Sequence, residues 1–145
     1  MENNRFESLP KEIQSKIISY TYMPQPTWLQ RDIQSCQLIR KANLYYYHFW
    51  IVEVGERMYE DRNWLINDLS FFLNDHIPSL DGYTQKYYDT FRRLFLLQKK
   101  SDEELDIFFD KLWFQPVNFQ INLVWGILVE SERIEFLKRY IRFTE

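Results

Sequence analysis

The chain has 145 residues, 46% of them hydrophobic and 27% charged, with a formal net charge of -3. That length suits one folded domain with a core of its own, and the mild acidity argues against nucleic acid as a bulk electrostatic partner. A single cysteine, Cys36, excludes an internal disulfide and fits a reducing compartment, and no apolar run approaches the roughly 20 residues that span a bilayer.

The aromatic content is high, at 5 Trp, 10 Tyr and 12 Phe. A core built from such rings is bulky and leaves some of them at the surface. Only 3 Gly occur, fewer than the turns of a β-sandwich of this length call for. The opening residues, Met1-Glu2-Asn3-Asn4-Arg5, lack a signal-peptide pattern. The expected location is therefore cytoplasmic or nuclear.

The predicted elements are all helical. Helix 1 is expected from Pro10 to about Tyr22, because proline fits a first helical position where its missing N–H costs nothing. Met23-Pro24-Gln25-Pro26 breaks it. Thr27 is placed to cap a second, longer helix that passes Trp28, Leu29, Ile33, Cys36, Ile39 and Ala42. That helix is expected to continue through Leu44–Val52 and stop at Gly55, although the run's β-forming residues would also suit a buried strand.

A third helix is predicted over Asn63–Asp75, with Leu65, Leu69, Phe72 and Leu73 facing inward and Pro78 and Gly82 closing it. Asp81 is expected to cap the next helix, whose stripe is Tyr83, Tyr87, Phe91, Leu94 and Phe95. Ser101 and Glu104 form a capping box ahead of Leu105, Phe108, Phe109 and Leu112. After Pro116, Val117, Ile121, Val124, Trp125 and Leu128 mark another helix. A last one is expected near Ser131, carrying Ile134, Leu137, Tyr140 and Ile141. The expectation is an all-α bundle of about seven helices in a single domain, residues 1–145.

Few residues invite chemistry. His48, His76 and Cys36 show no i, i+4 or Cys-x-x-Cys spacing, so neither a metal site nor a cofactor is expected. The acids Asp102, Glu103 and Glu104 suit a helix N-terminus, whose dipole favours negative charge. Arg92, Arg93, Lys99, Lys100, Lys138, Arg139 and Arg142 form either a basic patch or, more simply, solvated helix faces. There is no Gly-rich phosphate loop, no Gly-x-Ser-x-Gly and no His-Glu-x-x-His. A non-enzyme is expected.

Two segments suggest contact with other proteins. The run Tyr45, Tyr46, Tyr47, Phe49 and Trp50, and the pair Trp113-Phe114 beside Pro116, are candidate aromatic interfaces. A homo-oligomer is the simplest way to cover them. Around Tyr45–Trp50 no basic residues interleave, and successive helical positions diverge, which disfavours a base-stacking platform.

The other segment is Leu9-Pro10-Lys11-Glu12-Ile13, followed by Ile17 and Ile18. It resembles the opening of an F-box. The match at Leu9, Pro10, Glu12, Ile13, Ile17 and Ile18 extends more loosely to Leu29 and Ile33, so residues 6–50 make an F-box-like subregion. The family's Val-Ser-x-x-Trp-like second half is missing, with Ser35-Cys36-Gln37-Leu38 in its place and Trp28 too early. The resemblance implies a helical module that binds Skp1 and recruits a ubiquitin ligase. Any amphipathic helix start also gives this spacing, so Ile13 and Ile17 have a second reading as core. The chain is similar as well to short proteins of large DNA viruses that open on Leu-Pro-x-Glu-Ile. That similarity implies no activity, and a place in the host cell interior or the virion. The sequence thus points to an interaction adaptor, with a self-associating structural or virion protein as the alternative.

Overall fold

The computed structural model describes residues 5–21 and 25–141. Every regular element among them is helical: α1 (Lys11–Thr21), α2 (Thr27–Gln37), α3 (Ile39–Tyr46), a π-helix (Tyr47–Glu53), α4 (Glu60–Leu73), α5 (Gln85–Phe91), α6 (Asp102–Trp113), α7 (Val117–Ile127) and α8 (Glu130–Tyr140), with 3₁₀ turns at Ser79–Asp81 and Phe95–Leu97. The all-α expectation holds. The expected end of helix 1 at Tyr22 and its break at Pro24 lie outside the described residues. The chain divides into two compact units, Met1–Gln30 and Arg31–Glu145.

In the first unit α1 begins as the proline predicts. The Pro10 carbonyl accepts from the N–H groups of Ile13 and Gln14, both at 3.0 Å, and the Gln14 amide reaches back to the Leu9 carbonyl at 2.7 Å. No residue of α1 is buried.

The second unit is organised by α4, which packs against α3, the π-helix, α5, α7 and α8. Its Leu65, Leu69, Phe72 and Leu73 are buried together with Tyr87, Phe91, Leu105, Phe109, Leu112, Ile121, Val124, Trp125, Phe136 and Leu137. A helix ringed by neighbours needs apolar residues on several faces, and α4 supplies them. Among the caps, the Ser101–Glu104 box forms as expected, with reciprocal bonds of 3.2 and 2.9 Å.

Several boundaries differ from expectation for local reasons. The predicted long helix after Thr27 is interrupted at Leu38, then resumes as α3 and widens to the π-helix. In that wider turn Val54 donates to the Phe49 carbonyl five residues back, at 3.0 Å. Crowded aromatic and β-branched side chains disfavour tight α-helical turns, and the widening brings Trp50 flat onto Trp64 of α4, 4.3 Å between ring centres. Gly55, with φ +81°, then ends the run as expected. Thr84, not Asp81, caps α5, because Asp81 belongs to the preceding 3₁₀ turn. The last helix starts at Glu130, one residue before Ser131. The stripe predicted for α5 also ends early. The helix stops at Phe91 and Leu94 is extended, so Phe95 turns outward.

One buried polar side chain in this unit has a structural role that sequence patterns hide. Asn74, almost wholly buried, donates to the carbonyls of Ile77 (2.8 Å) and Gly82 (2.9 Å) and accepts from the Thr84 N–H (2.7 Å). It fixes the whole connection between α4 and α5. Just beyond, Asp75 and His76 both take positive φ, 54° and 62°, a region that Asn, Asp and His tolerate better than most residues.

His76 lies parallel to Tyr140 and edge-on to Phe71 and Phe72, and its Nε2 is shielded without a hydrogen-bond partner among the described residues. Desolvation, with Arg139 and Lys86 nearby, holds its pKa below the usual histidine value, against the opposing pull of Asp75 and Glu135. The unfolded chain therefore takes up this proton first as the pH falls, and stability declines below about pH 6.5. Melting curves at about pH 7.5 and about pH 5.5 are expected to show a larger loss for the wild type than for His76→Phe. Equal losses would show that His76 does not carry the effect.

Candidate functional site

The second unit carries an open groove of about 720 Å³. One wall is the turn after α5, Leu94–Leu97; the others are α6, through Phe108 and Leu112, and α7, through Phe119 and Leu123. Local sequence explains the wall of the turn. Four consecutive apolar residues in a short turn cannot all point inward, so Leu97 enters the core while Phe95 and Leu96 stay 84% and 82% exposed. On α7 the same division leaves Phe119 51% exposed while Ile121 and Val124 are buried.

The ionisable side chains lining the groove are Lys100 and Lys111. Lys100 approaches Glu104 at 3.9 Å, with both side chains about half exposed, so the pair is weak. The groove lining contains no carboxylate, thiol or imidazole. It can bury apolar surface and attract negative charge.

A second depression, about 430 Å³, is lined by Asn63, Asn67, Ser70, Ser79, Tyr83, Trp113 and Gln120 beside Ile66. Much of its polarity is engaged internally. Trp113 Nε1 donates to the Tyr83 hydroxyl at 3.2 Å, and Gln120 Nε2 donates to the carbonyls of Gln115 and Trp113 at 2.7 and 3.2 Å.

The sequence-predicted site residues divide among these surroundings. Leu9, Pro10, Glu12, Ile13, Ile17 and Ile18 are all exposed in the first unit. In the second unit Tyr45, Tyr47 and Phe49 are exposed, with Tyr45 lying parallel to Phe49 at 6.4 Å. Tyr46 is not part of that surface. It is buried and donates to Asp68 at 2.5 Å, and burial together with this bond pushes its hydroxyl pKa far up. Trp50 is half covered by Trp64. Trp113 is half-buried, whereas its neighbour Phe114 is 91% exposed.

Phe95, Leu96 and Phe119 were not among the predicted site residues. The available signal was the unbroken run Leu94-Phe95-Leu96-Leu97, which exceeds what one helix face can bury.

Of the basic residues, Arg92 pairs with Asp89 and Asp102, and Arg93 with Glu132. Arg142 lies outside the described residues. Among the described residues no group of three or more His, Cys, Asp or Glu is placed to hold a metal ion. Among them, too, no helix is long and apolar enough to cross a membrane. Compared with known families, curated proteins and solved structures, the chain matches none of them.

Proposed function

We propose that this chain is a protein-interaction adaptor that acts without catalysis. The observation that carries the reading is the apolar groove of the second unit, with Phe95, Leu96 and Phe119 presented to solvent. Contiguous exposed apolar surface of this kind marks partner sites. The Tyr45–Phe49 surface supplies a further aromatic face, suited to a second copy of the chain or a virion component.

A second reading rests on α1. The F-box-like residues Leu9, Pro10, Ile13, Ile17 and Ile18 are exposed rather than buried as core, which supports Skp1 capture by the first unit while the second holds another protein. Quantitative affinity capture from eukaryotic cells tests both. Leu96→Asp is expected to lose a partner that the wild type retains, with an unchanged melting temperature. Ile17→Asp is expected to lose Skp1 alone. Identical protein sets from wild type and Leu96→Asp would reject the groove. Absence of Skp1 from the wild-type capture would reject the F-box-like reading.

A further inference from the structure

We infer that the groove binds an amphipathic helix whose apolar anchors are flanked by acidic residues. The inference rests on the interaction reading above and adds the chemistry of the partner.

Shape comes first. Extended peptides gain affinity by adding a strand to a sheet edge, and the described residues contain no strand to extend. What they offer instead is a trough between a turn and two helices, walled by Phe95, Leu96, Phe108, Phe119 and Leu123. That shape suits anchors at i, i+3/i+4 and i+7 of a helix.

Charge then selects the partner. The charged side chains lining the groove are both lysines. Lys111 makes no ion pair or hydrogen bond among the described residues, and Lys99 stands exposed next to Lys100. Glu104 of α6 offsets part of the Lys100 charge at 3.9 Å, while the α7 wall, Val117–Ile127, contains no charged residue, so the lining keeps a net positive charge through Lys111. This cationic rim sits on a chain whose net charge is -3, so it is a local feature. An acidic helix meets opposite charge at a partly desolvated rim, where attraction is screened less than in open solvent.

Selection from a displayed library of helical peptides, about 16 residues or about 24 Å long, tests the inference on the full chain. Enriched peptides are expected to combine apolar anchors at helical spacing with net negative charge. Their binding is expected to weaken about tenfold or more on Phe95→Ser/Leu96→Ser. It should also fall with added salt. Lys100→Glu/Lys111→Glu is expected to shift the enriched charge toward positive. Enrichment of neutral or basic peptides that still depend on Phe95 and Leu96 would overturn the acidic partner and leave the interaction reading standing. Enrichment indifferent to Phe95 and Leu96, or no enrichment at all, would overturn both.

Discussion

Arg133→Met is expected to lower the stability of the protein by about 3 kcal/mol or more, a drop of about 10 °C in melting temperature. Arg133 is 2% exposed and makes five hydrogen bonds. Its Nε and one terminal nitrogen donate to the carbonyls of Trp125 (3.2 Å) and Gly126 (3.3 Å). These belong to the last turn of α7, where the Trp125 carbonyl also accepts from the Leu128 N–H at 3.3 Å. The other terminal nitrogen donates to the Asp32 carbonyl (3.0 Å), the Asp32 carboxylate (2.7 Å) and Ser35 Oγ (2.9 Å). One guanidinium therefore joins α8 to the end of α7 and to the Arg31–Gln37 part of α2. Trp125 reinforces the joint, since its indole N–H donates to the Cys36 carbonyl at 2.8 Å. Methionine fills much of the volume but removes all five bonds at once, including the charge-assisted one to the Asp32 carboxylate, and so disconnects α8 from α7 and α2. Arg133→Lys is expected to recover little, because a single ammonium cannot reach acceptors spread across a planar fork. Thermal unfolding followed by circular dichroism decides the matter; a melting temperature within about 2 °C of wild type for Arg133→Met would refute this role.

Phe109→Ala is expected to cost about 4 kcal/mol. The ring is almost fully buried and lies 4.8 Å from Phe91, 4.9 Å from Tyr83, 5.0 Å from Tyr87 and 5.8 Å from Tyr88, centre to centre. Removing it opens a cavity between α5 and α6 and breaks several edge-to-face contacts at once. Phe114→Ala, five residues on, is expected to change stability by no more than about 0.5 kcal/mol, because that ring is 91% exposed. Chemical denaturation of the two variants side by side reads the contrast. Comparable losses would mean that Phe114 is packed and unavailable to a partner.

Phe109 and Arg133 mark where the sequence was readable and where it was not. Phe109 falls on a helical stripe behind a capping box, and both the stripe and the box formed as periodicity and capping rules require. Arg133 could not be singled out. A lone arginine in a charged helix looks like a solvated position, and its acceptors lie 7 to 101 residues away along the chain. Asn74 was hidden in the same way, since its partners belong to a loop whose shape it creates. The Tyr47–Glu53 run was legible as helix but not as π-helix, because that choice depends on the packing of Trp50 on Trp64. Of the candidate aromatic surfaces, the sequence showed rings in excess of what a small core can hold, but not which ones would turn outward. Tyr46 went in and Phe95 went out because α3 and α5 end where they do.

The central claim, that the groove of the second unit is a partner-binding surface, is tested most directly by hydroxyl-radical footprinting. The measurement compares side-chain oxidation in the free protein with that in the complex recovered by affinity capture. The account predicts that Phe95, Leu96 and Phe119 are oxidised readily in the free chain and protected in the complex, while the exposed Leu44 and Val52, which do not line the groove, stay reactive. Equal oxidation of Phe95, Leu96 and Phe119 in the two states, with protection confined to other residues, would contradict it.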